Sequence, residues 1–170
     1  EPLEAGSGLV FESEITGATL PTEYFGPVEQ GFKEAAQSGV VAGHPVVDIK
    51  AILIDGSHHE VDSSEVAFKI ASSMAFKEAC QKASPFILEP VMLMEVVTPE
   101  EFLGDVLGDL QSRRAQVQSM EPQAGLQIVR AHVPLAETFQ YATILRSNTT
   151  GRASFTQELD HYAPAPMKDK

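Results

Sequence analysis

The sequence predicts an α+β protein made of two small two-layer α/β sandwiches, and three observations carry that expectation. Apolar residues make up 43% of the 170 positions and charged residues 21%, values of a chain able to bury a core. Hydrophobic spacing switches repeatedly between period two and the three-to-four spacing of helices. A strand–helix–strand–strand–helix–strand order begins only after Ser84-Pro85, so Leu9–Ser84 and Pro85–Tyr162 read as separate units, with domains at 1–84 and 85–170.

Pro, Gly and acidic residues crowd the first eight positions, and Ala163–Lys170 is rich in Pro, Ala and Lys, so both ends read as loose. Leu9-Val10-Phe11 runs to Ile15 with Glu12 and Glu14 interleaved, an edge-type strand stopped by Gly17. Leu20-Pro21-Thr22-Glu23 opens a helix with Pro in its first turn. Phe25, Val28, Phe32 and Ala36 form one face of that helix, which Ser38-Gly39 ends. Val46–Ile54 is a β-branched strand with Asp48 and Lys50 as its polar positions. A polar loop, Asp55–Val61, leads to Asp62-Ser63-Ser64-Glu65, the spacing of a capping box with Asp62 as the cap. Val66, Ile70 and Met74, joined by Phe76, Ala79 and Cys80, give the following helix a wide apolar face to about Ala83. This first half offers only two strands; a further strand ahead of Glu1 would complete it, and a first residue other than Met fits a piece of something longer.

In the second half, Phe86–Val97 reads as a strand. Thr98-Pro99-Glu100-Glu101 then has the order of a strong helix start, with Thr98 as the cap. Phe102, Val106, Leu107 and Leu110 line that helix, and Arg113-Arg114 complement its C-terminal dipole. Ala115–Met120 and Leu126–Val133 form a hairpin around Pro122–Gly125. Leu135–Leu145 is a helix with Phe139, Ala142 and Leu145 on one face, and Ala153–Leu159 is the final strand. The resulting β-α-β-β-α-β order is the ferredoxin-like pattern.

Composition narrows the function. Twelve Lys plus Arg against 24 Asp plus Glu give a net charge of −12, which disfavours binding duplex DNA through a basic surface. No stretch approaches the roughly 18 apolar residues of a membrane-crossing helix, and no signal peptide is visible. Cys80 is the one cysteine, so an internal disulfide and a cysteine-cage zinc site are excluded, and the count fits a reducing cytosol.

The densest polar cluster is His58-His59-Glu60 with Asp62. A metal reading needs a converging partner cluster, and His44, His132 and His161 are scattered along the sequence, so a solvated loop is the plainer reading. Ser57, His59 and Asp62 lack the Gly-x-Ser-x-Gly elbow of a hydrolase. Cys80, on a helix face beside Phe76, reads as a small hydrophobe, and Asp105 with Asp109 as a solvated stripe. No Gly-x-x-x-x-Gly-Lys-Ser/Thr and no Gly-x-Gly-x-x-Gly is present, so the chain by itself is expected neither to bind nor to hydrolyse a nucleotide. Arg146 with Gly151-Arg152 is a local basic spot that suits either an RNA phosphate or an ion pair with Glu137 or Glu158.

Beyond these readings the residues resemble a family. Gly43–Asp48, Gly56–Glu65 and Ala67-Phe68-Lys69 resemble the fourth domain of bacterial elongation factor G. Leu88–Met92, Gly104–Leu110, Arg113-Arg114, Pro134-Leu135, Phe139, Tyr141-Ala142-Thr143, Leu145-Arg146-Ser147 and Thr150–Phe155 resemble its fifth. His58 stands where Tyr is frequent in that family, and Gln111 and Gln140 depart from its usual residues. The resemblance implies a first unit like domain 2 of ribosomal protein S5, with a left-handed βαβ crossover, and a ferredoxin-like second unit. It implies the ribosome- and tRNA-contacting C-terminal portion of a translocation GTPase; a specialised paralogue or a tetracycline ribosomal protection protein could carry a similar C-terminus. Implied contacts with RNA or ribosome are Ser57, His58, His59, Glu60, Arg146 and Arg152, with no catalytic, cofactor or metal residues. GTP and Mg²⁺ would belong to an upstream domain of a parent GTPase. The implied partners are the ribosomal decoding site, ribosomal RNA and the tRNA–mRNA pair, met by a cytoplasmic monomer without a membrane role.

Overall fold

The computed structural model describes residues 1–166 and divides into two units, Glu1–Ile87 and Leu88–Lys170. The fold is α+β with a separate sheet in each unit.

In the first unit β1 (Leu9–Ser13) and β2 (Ile49–Leu53) pair in parallel, joined through α1 (Phe25–Ser38). The N-terminal segment is tied down instead of loose. Pro2 bridges Ile49, Leu3 N donates to Asp48 O, and the terminal ammonium donates to Lys50 O. The second strand starts three residues later than Val46 because Asp48 adopts a φ of 56° and its carboxylate accepts from Gly8 N. Pro21 leads first into a 3₁₀ turn, Thr22–Tyr24, and then α1, whose Val28, Phe32, Ala35 and Ala36 are buried.

The second helix of this unit, α2 (Glu65–Lys82), corrects two expectations. Its cap is Ser64, whose hydroxyl accepts from Ala67 N; Asp62 lies two residues too early to reach the first turn. Its Val66–Ile70–Met74 face is exposed rather than buried, and contact runs instead along Ser72 and Phe76 to α1 and along Phe68 to Tyr24 in the turn before it. There the backbones come very close: a Cβ on Gly31 would lie 2.1 Å from Lys69 O, so only glycine fits.

The second unit has the sheet order β4-β5-β3-β6, with β3 (Leu88–Pro99), α3 (Leu103–Ser112), β4 (Gln116–Gln123), β5 (Leu126–Pro134), α4 (Tyr141–Asn148) and β6 (Ser154–Pro164). All its strand pairs are antiparallel, and the β-α-β-β-α-β order is ferredoxin-like. Met94, Val96, Val129, Ala131 and Val133 from the sheet meet Val106, Leu110, Tyr141 and Leu145 from the helices in one core. The hairpin turn is Ala124-Gly125, with φ values of 51° and 81°, the paired positive angles of a tight two-residue connection.

Four local expectations fail here for identifiable reasons. Thr98 does not cap α3: it is buried in β3, and a 3₁₀ turn at Glu100–Phe102 intervenes. Asp109 is not solvated, because Arg113 Nε donates to it at 2.8 Å. Leu135–Leu145 is not one helix: Gln140, at φ 62°, breaks it after a 3₁₀ turn, which turns Phe139 outward and Tyr141 inward. Ala163 and Pro164 extend β6 rather than forming a loose tail, while the tail's Met167–Lys170 lie outside the described residues.

Candidate functional site

The tip loop between β2 and α2 is built from Asp55 to Ser63. Asp55 Oδ1 accepts from Gly56 N at 2.8 Å as the chain leaves the strand. Ser63 Oγ accepts from His59 N at 2.8 Å, and Ser63 N donates to His59 O at 3.1 Å. This reciprocal pair closes the turn over Glu60, Val61 and Asp62 and leaves the His59 ring outside. Side-chain-to-backbone bonds of this kind offer a loop a substitute for a ladder. The Ser64 cap then anchors the loop to the first turn of α2.

The predicted loop residues are thus brought together, but not equivalently. Ser57, His59 and Glu60 are exposed. His58 is half-buried, with Nδ1 in a long 3.4 Å contact to Thr19 O, so its ring faces the chain that precedes α1. Thr19, Asp55, Gly56, Ser57 and His58 line an open concavity of about 580 Å³. Thr19 was not legible as a site residue, since only the fold carries it to the loop. Among the described residues Asp55, His58, His59, Glu60 and Asp62 take part in no ion pair. Asp55, Glu60 and Asp62 make the tip acidic, and Ile54 and Val61 are 73% and 92% exposed on it. The loop therefore offers imidazole, hydroxyl and apolar contacts without a positive field.

The basic spot sits in the second unit. Thr149, fully buried, donates through Oγ1 to Leu145 O at 2.7 Å and accepts from Ala153 N at 3.2 Å. That clamp joins the end of α4 to the start of β6, and Gly151 N donates to Arg146 O at 2.8 Å. Arg146 lies in the last turn of α4, and Arg152 follows the turn that leads to β6. Arg146 is exposed and makes no ion pair among the described residues. Arg152 pairs with Glu101, and its guanidinium lies 5.5 Å from the Phe102 ring centroid. Of the alternatives left open by the sequence, an ion pair with Glu137 or Glu158 does not form among the described residues, and Arg114 engages Glu137 instead. Arg114 also holds Glu89 through two bonds of 2.8 and 3.0 Å, which keeps the Glu89 carboxyl below the usual carboxylate range. The Cys80 thiol is pushed up by burial, the wrong direction for a nucleophile.

These features define a class: a pair of α+β units, one with an exposed loop between strand and helix and the other with two arginines around the α4–β6 turn. Comparison with known proteins makes the class specific. Residues 1–84 match the family model for elongation factor G, domain IV, and residues 86–170 match that for the elongation factor G C-terminus. The chain belongs to the elongation factor G family and carries these C-terminal parts of a translation elongation factor. A crystal structure of a Thermus thermophilus protein is 47% identical with a TM-score of 0.83; the match covers 98% of this chain and 25% of that one. This chain therefore spans about a quarter of that protein's length. No helix among the described residues is long and apolar enough to cross a membrane.

Proposed function

We propose that this chain is the ribosome- and tRNA-contacting portion of a cytoplasmic elongation factor G, which promotes GTP-dependent movement of tRNA and mRNA. Its tip loop reaches the decoding site as part of a monomeric factor, and GTP and Mg²⁺ bind in another domain. The observation that supports this best is the His59–Ser63 closure, which fixes the loop while leaving Ser57, His59 and Glu60 free to contact a partner.

The acidic tip sets the kind of contact. Three carboxylates in the loop repel phosphate, so affinity cannot come from counterion release at this end. His59 instead donates a hydrogen bond to, or stacks on, a sugar or base, the contacts by which folded RNA is read. Exposed Val61 adds apolar surface against a base or ribose. His58 braces the loop against Thr19. At the other unit Arg146 meets an RNA phosphate directly, and Arg152 exchanges Glu101 for one.

In the full-length factor, His59→Ala slows translocation about tenfold, equivalent to about 1.4 kcal/mol in the barrier. Ribosome-stimulated GTP hydrolysis stays near the parent rate, because the nucleotide is held elsewhere. Rapid-kinetic measurement of both rates tests this. Equal losses in both, or no loss in translocation, would refute the reading.

A further inference from the structure

We propose that His132, Asp160 and His161 form a binding site for a zinc-class divalent metal ion on the second unit. The side chains belong to two strands, β5 and β6, that flank β3. Leu93 of β3 pairs with His132 on one side and Glu158 on the other, so residues 132 and 158 share the sheet face opposite the buried Met94 and Val96. Strict alternation would send Asp160 to that face and His161 to the helix-covered one. The register breaks between Val91 and Met92: Leu159 stands opposite Met92, His161 opposite Val91, and Asp160 is left without a partner. A bulge of this kind re-aims the side chains that follow it. His161 is thereby delivered to the same side as Asp160 and His132.

The geometry is that of three converging ligands. One ligand atom from each residue lies within 4.8 Å of the others. His132 Nε2 is 3.5 Å and His161 Nδ1 2.6 Å from the same oxygen, Asp160 Oδ2. The imidazole rings meet edge-on with centroids 5.2 Å apart. Ligands about 2.0–2.1 Å from a tetrahedral zinc ion lie about 3.3 Å from one another. The His132–Asp160 distance already fits, and the His161–Asp160 pair opens by less than about 1 Å as the ion replaces the bridging hydrogen. Two imidazoles and a carboxylate suit zinc over magnesium, and water completes the fourth position. Nearby Arg130 is neutralised by Glu95 and Glu121, while Glu158 adds negative charge on the same face.

Titration calorimetry of the 170-residue chain with Zn²⁺ tests the site. One ion binds per chain, Mg²⁺ gives no saturable heat, and Co²⁺ gives the visible absorption of a four-coordinate N/O site. His132→Ala and His161→Ala each weaken Zn²⁺ binding at least tenfold with an unchanged circular dichroism spectrum, and Asp160→Asn does the same. His44→Ala, on the other unit, leaves the titration unchanged. Zn²⁺ binding that survives His132→Ala combined with His161→Ala, or that never saturates at one ion, would overturn the proposal.

Discussion

Gly31 offers a perturbation whose outcome the geometry dictates. A methyl group there would sit 2.1 Å from Lys69 O and 2.9 Å from Lys69 C, backbone atoms that cannot rotate away. Relief requires α1 and α2 to part by roughly 1 Å, which disturbs every contact along their seam. Those contacts include the Tyr24–Phe68 stack at 4.3 Å, the Phe32–Phe76 edge contact at 5.1 Å and the Ser72 Oγ bond to Val28 O at 2.5 Å. Overpacking of this kind costs about 1–3 kcal/mol. Weakening the aromatic pairs adds about 0.5–1.5 kcal/mol each at most. Alanine returns only about 1 kcal/mol of helix propensity. Gly31→Ala is therefore destabilising by about 1–5 kcal/mol net. Gly108 in α3 is the control, because among the described residues a methyl group there meets nothing within 4 Å. Gly108→Ala gains about 1 kcal/mol. Hydrogen exchange read peptide by peptide gives each unit its own opening free energy. A Gly31→Ala variant at least as stable as the parent would refute the close-crossing account.

Two further outcomes concern Tyr141 and Glu89 of the second unit. Among the described residues the buried Tyr141 hydroxyl has no hydrogen-bond partner, and burial pushes its phenol well above the ordinary range, with Asp109 adding to the shift. Tyr141→Phe removes that unpaired group while keeping the edge contact with Phe155, so denaturant unfolding shows equal or higher stability, by up to about 1 kcal/mol; a loss above that would contradict the unpaired geometry. Glu89 is held below its unfolded value by Arg114, so it binds protons less readily when folded than when unfolded. Its stabilisation is present above the unfolded carboxylate range near pH ~4.3 and is lost as pH falls through the lower folded value, and Glu89→Gln flattens that limb of an acid titration of stability.

Much of the fold was legible because its signals are local. The period-two runs around Leu93 and Val129 and the start of β1 are read directly from the chain. What escaped depended on distant atoms. Asp62 has the right spacing for a cap, yet Ser63 and Ser64 divide that work between the loop and the helix. Thr98-Pro99 has the order of a helix start, but pairing with Gln127 holds Thr98 in the sheet. Val66, Ile70 and Met74 have core spacing, and nothing in their own sequence says which side of α2 meets α1; the glycine at position 31 decides that. The positive φ of Gln140 is not legible from its own side chain, which carries none of the freedom of Gly. The tip loop was visible as a polar cluster between strand and helix, whereas its Thr19 neighbour and the Arg152–Glu101 pair required the folded chain. His132 and His161 looked scattered because a β-bulge, invisible to periodicity, brings them together.

The most direct test of the central claim is proximity of the tip loop to RNA. In the full-length factor with Cys80 and every cysteine of the other domains replaced by Ala, a single cysteine introduced at Ser57 carries an iron chelate for hydroxyl-radical cleavage on the ribosome. Strand cuts are expected to cluster in the decoding region of the small-subunit RNA and to be absent when the chelate is moved to exposed Gln118 of the second unit. Cuts from position 57 that miss the decoding region, or that match those from position 118, would contradict that claim.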